Sequence, residues 1–111
     1  AERRLLLTGH MDTVFPSDHP FQTVTDVDAD TINGPGTADM KGGLCVILHA
    51  LTAFETTPDA SRIGYDVMIN SDEETGSLSS AGLIAELARG KYAALTYEPS
   101  ALPDGTLAHA R

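Results

Sequence analysis

Short apolar runs closed by polar residues alternate with longer stretches of helical spacing along this chain. Leu5-Leu6-Leu7 gives way to Thr8-Gly9, as a buried parallel strand does. Ile63–Asn70 (IGYDVMIN) and Tyr92–Tyr97 (YAALTY) read as two further strands. From Met40 to Phe54, apolar Leu44, Ile47, Leu48, Leu51 and Phe54 recur at the period of a helix, and Pro58 follows it. Ser77–Arg89 predicts a second helix, with Ser79 or Ser80 to cap it and Gly90 past its end. Residues 13–38 hold Pro16, Pro20, Gly34, Pro35 and Gly36, so they read as loop, with a short hairpin formed by FQTVTD and ADTING. The order strand, loop, helix, strand, helix, strand predicts an α/β fold: a mostly parallel sheet with helices on its faces, in three layers α/β/α. One detail runs against helix propensity. Gly42-Gly43 in the first turn costs about 1 kcal/mol per glycine, which predicts a close approach by another part of the chain.

In such sheets functional residues gather just beyond the carboxyl ends of the strands. Here His10 and Asp12 follow the first strand, Asp72-Glu73-Glu74 the second and Glu98 the third, while Asp39 opens the first helix at the same edge. One imidazole with several carboxylates is the ligand set of a hard or borderline cation such as zinc. Each residue also has a plainer reading. His10-Met11-Asp12 suits a polar turn, Asp39 a helix cap, Glu98 an ordinary loop and the acidic run a solvated turn. Yet adjacent like charges repel, and each loses stability when water is taken from it. Residues two apart on an extended segment point the same way, so Asp12 is placed to orient His10 as the partner of a metal-bound imidazole does. With Glu74 as a ligand, a free Glu73 beside it is positioned to take a proton from metal-bound water and pass it to a leaving amine. Asp72 reads as solvated and Lys41 as a surface charge.

Composition narrows the field. The 111 residues, 41% of them apolar, suffice for one small domain with a core. A formal net charge of −9 argues against nucleic acid and anionic membrane as partners, because both need basic patches. No apolar run reaches the roughly 18 residues of a membrane helix, and no signal peptide is evident. The expectation is a soluble protein, with the cytoplasm slightly favoured. Cys45 is the single cysteine, so no intrachain disulfide forms, and its helical position predicts a small core residue. Other motifs fail. Asp26–Asp30 (DVDAD) starts like a calcium loop but has Thr31 where glycine and Thr37 where glutamate belong. GPGTADMKGG departs from the phosphate-binding pattern because Met40 precedes Lys41. His49, in the first helix, reads as a partly buried or surface residue rather than a ligand, His19 and His109 have no supporting context, and Ser71 and Ser77 lack the glycines of a nucleophile elbow. The first residues run almost directly into a strand without an initiator Met, and no element follows GTLAHAR, so the chain is read as a piece of a longer polypeptide.

Four stretches in order, LLLTGHMDTVFP, GPGTADMKGGLCVILHAL, INSDEETGS and YEPS, resemble the dizinc amidohydrolase and carboxypeptidase family. That family includes glutamate carboxypeptidase, succinyl-diaminopimelate desuccinylase, acetylornithine deacetylase and aminoacylase-1; HMDTV, GPGTADMKGG and the glutamate of YEPS look most like the first of these. The resemblance implies that residues 1–111 form part of a zinc-exopeptidase catalytic domain, without the family's lid and dimerisation domain or its C-terminal catalytic segment. It implies zinc-dependent hydrolysis of an amide or peptide bond in a small peptide or N-acyl amino acid, with cobalt or manganese as alternative metals. His10, Asp39 and Glu98 would ligate the first zinc, with Asp12 supporting His10. Asp39 and Glu74 would hold the second, and Glu73 would be general base and then general acid. The Asp39–Met40 peptide bond would be cis. The complete enzyme would dimerise through the lid domain, and this piece alone would be a poor catalyst. A noncatalytic metal-binding or interaction module on the same fold is the rival expectation.

Overall fold

The computed structural model describes residues 3–100, 102 and 104–106. His109 lies outside the described residues. Five strands and two helices follow in order: β1 (Arg3–His10), β2 (Thr25–Asp26), β3 (Ile32–Asn33), α1 (Gly42–Phe54), β4 (Ile63–Asn70), α2 (Ala81–Ala88) and β5 (Ala93–Thr96). β2 and β3 form the short antiparallel hairpin expected between the prolines. The main sheet has the order β4-β1-β5 and is parallel throughout, with His10 opposite Asn70 and Thr8 opposite Thr96.

The path from β1 to β4 and the path from β4 back across to β5 run in opposite directions. Right-handed crossovers therefore put α1 and α2 on opposite faces. Side-chain parity agrees. Leu5, Leu7 and Gly9 face α1, where a Cβ on Gly9 would come within 2.7 Å of Leu44. On the other face Thr8 Oγ1 meets Thr96 Oγ1 at 3.0 Å, and Asn70 reaches Ser77 and Ser80 at the approach to α2. The buried apolar residues are Leu6, Leu7, Met40, Ile47 and Met68. The α/β reading thus holds.

The first helix differs from expectation at its start and on its outer side. It begins at Gly42, not Met40, and no side chain caps it. Asp39 has extended backbone angles (φ −115°, ψ 96°) inside a wound segment, Thr37–Lys41, so it is not a helix cap. The Asp39–Met40 peptide bond is cis. Ile47 is buried and Leu44, Leu51 and Phe54 are half-buried, whereas Leu48 and Cys45 are exposed. Cys45 is therefore not a core residue: the inward stripe runs through 44, 47, 51 and 54, and 45 falls outside it. The second helix starts at Ala81, four residues later than its pattern suggests, because Ser77, Ser79 and Ser80 are drawn into hydrogen bonds with Asp72.

The second glycine of the pair finds its reason just past β5. A Cβ on Gly43 would overlap the Tyr97 carbonyl oxygen and touch Met40 Cε at 3.0 Å. On helix propensity alone Gly43→Ala stabilises, but overpacking of this kind costs about 1–3 kcal/mol. The expected result is a lower denaturant midpoint for Gly43→Ala. Gly82→Ala in α2, where a Cβ meets nothing within 4 Å, should instead gain about 0.5–1 kcal/mol. Urea unfolding of the two variants checks the contrast.

Candidate metal centre

Every rim residue singled out in the sequence lies at the carboxyl edge of the parallel sheet. His10 is the last residue of β1, and Asp12 follows it in the loop. Asp39 lies in the wound segment before α1. Glu73 and Glu74 open a 3-10 turn after β4, and Glu98 stands two residues beyond β5. Parallel register brings these strand ends level, and the imidazole is the point on which they converge.

His10 is 1% exposed, and its two nitrogens face different groups. Nδ1 lies 3.2 Å from the Asp12 carbonyl oxygen and 3.3 Å from Asp12 Oδ1. Nε2 lies 3.0 Å from Asp39 Oδ1, 3.4 Å from Glu98 Oε1 and 3.9 Å from Glu73 Oε2. Asp12 therefore grips the ring with its backbone as well as its carboxylate. Its Oδ2 accepts the Glu74 N–H at 2.9 Å, which ties the acidic turn to β1. Its Oδ1 is buried and, apart from its 3.3 Å approach to Nδ1, which is not a hydrogen bond, meets no donor.

Among the described residues, two sets of three offer ligand atoms lying within 4.8 Å of one another: His10, Glu73 and Glu98, and His10, Asp39 and Glu74. These sets cut across the ligand sets implied by the resemblance, since Glu73 stands with His10 and Glu98. Electrostatics shows how strained the cluster is by its own charge. Burial works against the His10 imidazolium, but the carboxylates of Asp39, Glu98 and Glu73 with the Asp12 carbonyl outweigh it and raise the ring above its usual pKa. Burial lifts Glu98, as do a hydrogen bond shared with Asp39 and the Asp39 charge, against the pull of His10. Burial and the charges of Asp39, Glu73 and Asp12 lift Glu74, again against His10. Asp12 goes the other way: burial favours its neutral form, but the N–H groups of Glu74 and Glu73 and the His10 ring pull it down. Lys41, the nearby cation, donates to the Met11 carbonyl at 3.3 Å and forms no ion pair with these acids. One nitrogen and several oxygens without a cation among them fit a divalent metal ion, whose charge would favour the ionised forms of Glu74 and Glu98 and the neutral His10 ring.

Asp72 is not solvated as expected. Its Oδ2 accepts the N–H groups of Ser79 (2.8 Å) and Ser80 (3.0 Å), and its Oδ1 accepts Ser80 Oγ (2.6 Å) and Asn70 Nδ2 (3.1 Å). The Ser80 hydroxyl is the strongest influence holding this carboxyl below its usual pKa, against burial. The Asp72 carbonyl accepts the Ser77 N–H at 2.7 Å, which closes the turn over Ser77 at φ +55°. Ser80 occupies the cap position of α2 without bonding it through its own side chain. The first of the three consecutive acids thus holds the loop, and the next two project from it. Sequence reasoning missed this role, although Asn70 and Asp72, two apart beyond a strand, share a direction. A cavity of about 250 Å³ opens beside Asp39 and Glu74, walled by Thr13, Phe15, Gly34 and Thr37.

The pattern of the peptidase family M20/M25/M40 matches residues 6–110. The chain belongs to this family. Its M20 relatives are peptidases and amidohydrolases by name. Carboxypeptidase G2 of Pseudomonas sp. is 38% identical over 105 residues, 95% of this chain and 25% of that protein. Acetylornithine deacetylase of Salmonella arizonae is 36% identical over 104 residues, 88% of this chain and 26% of that protein. Succinyl-diaminopimelate desuccinylase of Methylobacterium nodulans is 35% identical over 96 residues, 78% of this chain and 23% of that protein. The chain thus spans about a quarter of the length of these M20 relatives. No solved structure matches it significantly. Among the described residues no helix is long and apolar enough to cross a membrane.

Proposed function

We propose that this chain carries catalytic residues of a zinc-dependent hydrolase that cleaves an amide or peptide bond in a small peptide or N-acyl amino acid. The observation that carries the reading is the unequal environment of the acids around His10 Nε2. Asp39 and Glu98 lie at 3.0 and 3.4 Å, while Glu73 stands off at 3.9 Å. A pure binding module has no use for a carboxylate held just beyond the ligand positions.

Zinc, when bound, supplies Lewis acidity and a water of lowered pKa. His10, Asp39, Glu74 and Glu98 would hold it, with Asp12 fixing the His10 ring through Nδ1. Glu73 accepts the proton of the attacking water on its carboxylate and delivers it to the amine as the C–N bond breaks. Similarity to carboxypeptidase G2 supports a carboxypeptidase, and similarity to acetylornithine deacetylase supports an N-acyl amino acid hydrolase.

The test is metal removal from the intact protein. Chelation should abolish hydrolysis of N-acyl amino acids and dipeptides, and stoichiometric zinc should restore it. Unchanged turnover after exhaustive chelation would overturn the proposal.

A further inference from the structure

We propose that Met40 is a positioning residue: its buried thioether sets the geometry of His10 and Asp39 toward the metal. The inference rests on the metallohydrolase reading above and extends it to a residue that touches neither metal nor substrate there.

The argument starts from one backbone donor. In β1 the N–H groups point alternately to β4 and β5. The Met11 N–H goes to the Asn70 carbonyl on the β4 side, so the His10 N–H faces β5. On that side the Tyr97 N–H bonds the Thr8 carbonyl at 3.4 Å, and a regular parallel ladder would next join the His10 N–H to the Tyr97 carbonyl. But β5 ends at Thr96, and the Tyr97 carbonyl is turned against Gly43 of α1. A buried N–H left without an acceptor is costly. Met40 Sδ takes it, at 3.2 Å.

The side chain that reaches there is held on every side. Met40 is 0% exposed. Two glycines make its slot: a Cβ on Gly9 would stand 2.8 Å from Met40 Cε, and one on Gly43 would stand 3.0 Å from it. Met40 is bonded directly to Asp39, whose carboxylate meets the ring of the same histidine at 3.0 Å. One residue thus links the two candidate ligands through a covalent bond on one side and an N–H···S bond on the other. A leucine of similar volume fills the slot but offers no acceptor. His10 must then shift its backbone to satisfy the donor, and its ring moves with it.

The test compares the intact wild-type protein with Met40→Leu, using zinc and cobalt alone as probes. Partners that orient metal ligands typically contribute 10–100-fold to affinity, so zinc titration of Met40→Leu should show a loss of about that size. At saturating cobalt its visible absorption should differ from wild type, a change that lowered stability alone does not produce. Equal zinc affinity with an identical cobalt spectrum would reduce Met40 to packing and overturn the inference, while the metal reading stands. If wild type itself takes up no zinc, the metallohydrolase reading fails, and this inference with it. A second measurement needs no variant. In wild-type protein the His10 amide should exchange with solvent as slowly as the amides of the β1–β4 ladder; exchange at the rate of an open loop would overturn the N–H···S bond.

Discussion

Glu73→Gln in the intact, zinc-loaded protein is expected to lower kcat about 10²–10⁴-fold, the usual contribution of a positioned general base, while zinc affinity stays close to wild type. The substitution keeps size and hydrogen-bonding reach but removes the proton acceptor. Of the carboxylates that face His10 Nε2, Glu73 is the most distant. KM should move little, because the amide still contacts whatever the carboxylate contacts in the bound substrate. The neighbouring Glu74→Gln should behave in the opposite way, with zinc lost first and activity recovered in part by excess metal. Steady-state kinetics beside zinc titration separates the two. Wild-type kcat in Glu73→Gln would remove Glu73 from the chemistry. Lost zinc in the same variant would make Glu73 a ligand, as its place in one set with His10 and Glu98 allows.

The arrangement behind these expectations was legible in the sequence only in part. Strand ends could be read because apolar runs stop abruptly at His10, Asn70 and Tyr97, and a parallel sheet sends everything that follows to one edge. That brought His10, Asp12, Asp39, Glu73, Glu74 and Glu98 together before any coordinates. Helix starts were harder. Asp39 sits where a cap belongs, yet its backbone is extended and the helix waits until Gly42. Ser80 sits where a cap belongs too, yet Asp72 accepts the N–H groups there. In both places a long-range demand overrides local propensity: the rim at Asp39, the folded acidic turn at Asp72. Outward Cys45 and Leu48 escaped notice because a run of consecutive apolar residues does not say which stripe turns inward. The acceptor for the His10 N–H was out of reach altogether, since it depends on where β5 stops.

Asp39→Ala should cost the most of any single change at this rim. Its carboxylate meets His10 Nε2 at 3.0 Å, the shortest approach of any acid to that nitrogen among the described residues, its charge acts on Glu98, and it stands in one ligand set with Glu74. If it bridges two ions, its removal dismantles both positions, whereas Glu74→Ala or Glu98→Ala each empties one. Zinc stoichiometry of purified Asp39→Ala should therefore fall to none, and hydrolysis should fall to background. Stability supplies an independent sign. Without metal, Asp39 attracts the His10 ring but repels Glu74 and Glu98, and two repulsions against one attraction set the expected sign. Metal-free Asp39→Ala should then unfold at a higher urea concentration than metal-free wild type. Excess zinc should reverse the order, because only wild type gains the stabilisation that follows from binding in the native state. Unfolding curves with and without zinc would show the two proteins exchanging places. A variant less stable than wild type in both conditions would mean that Asp39 serves the fold, and the bridging role would go to another carboxylate.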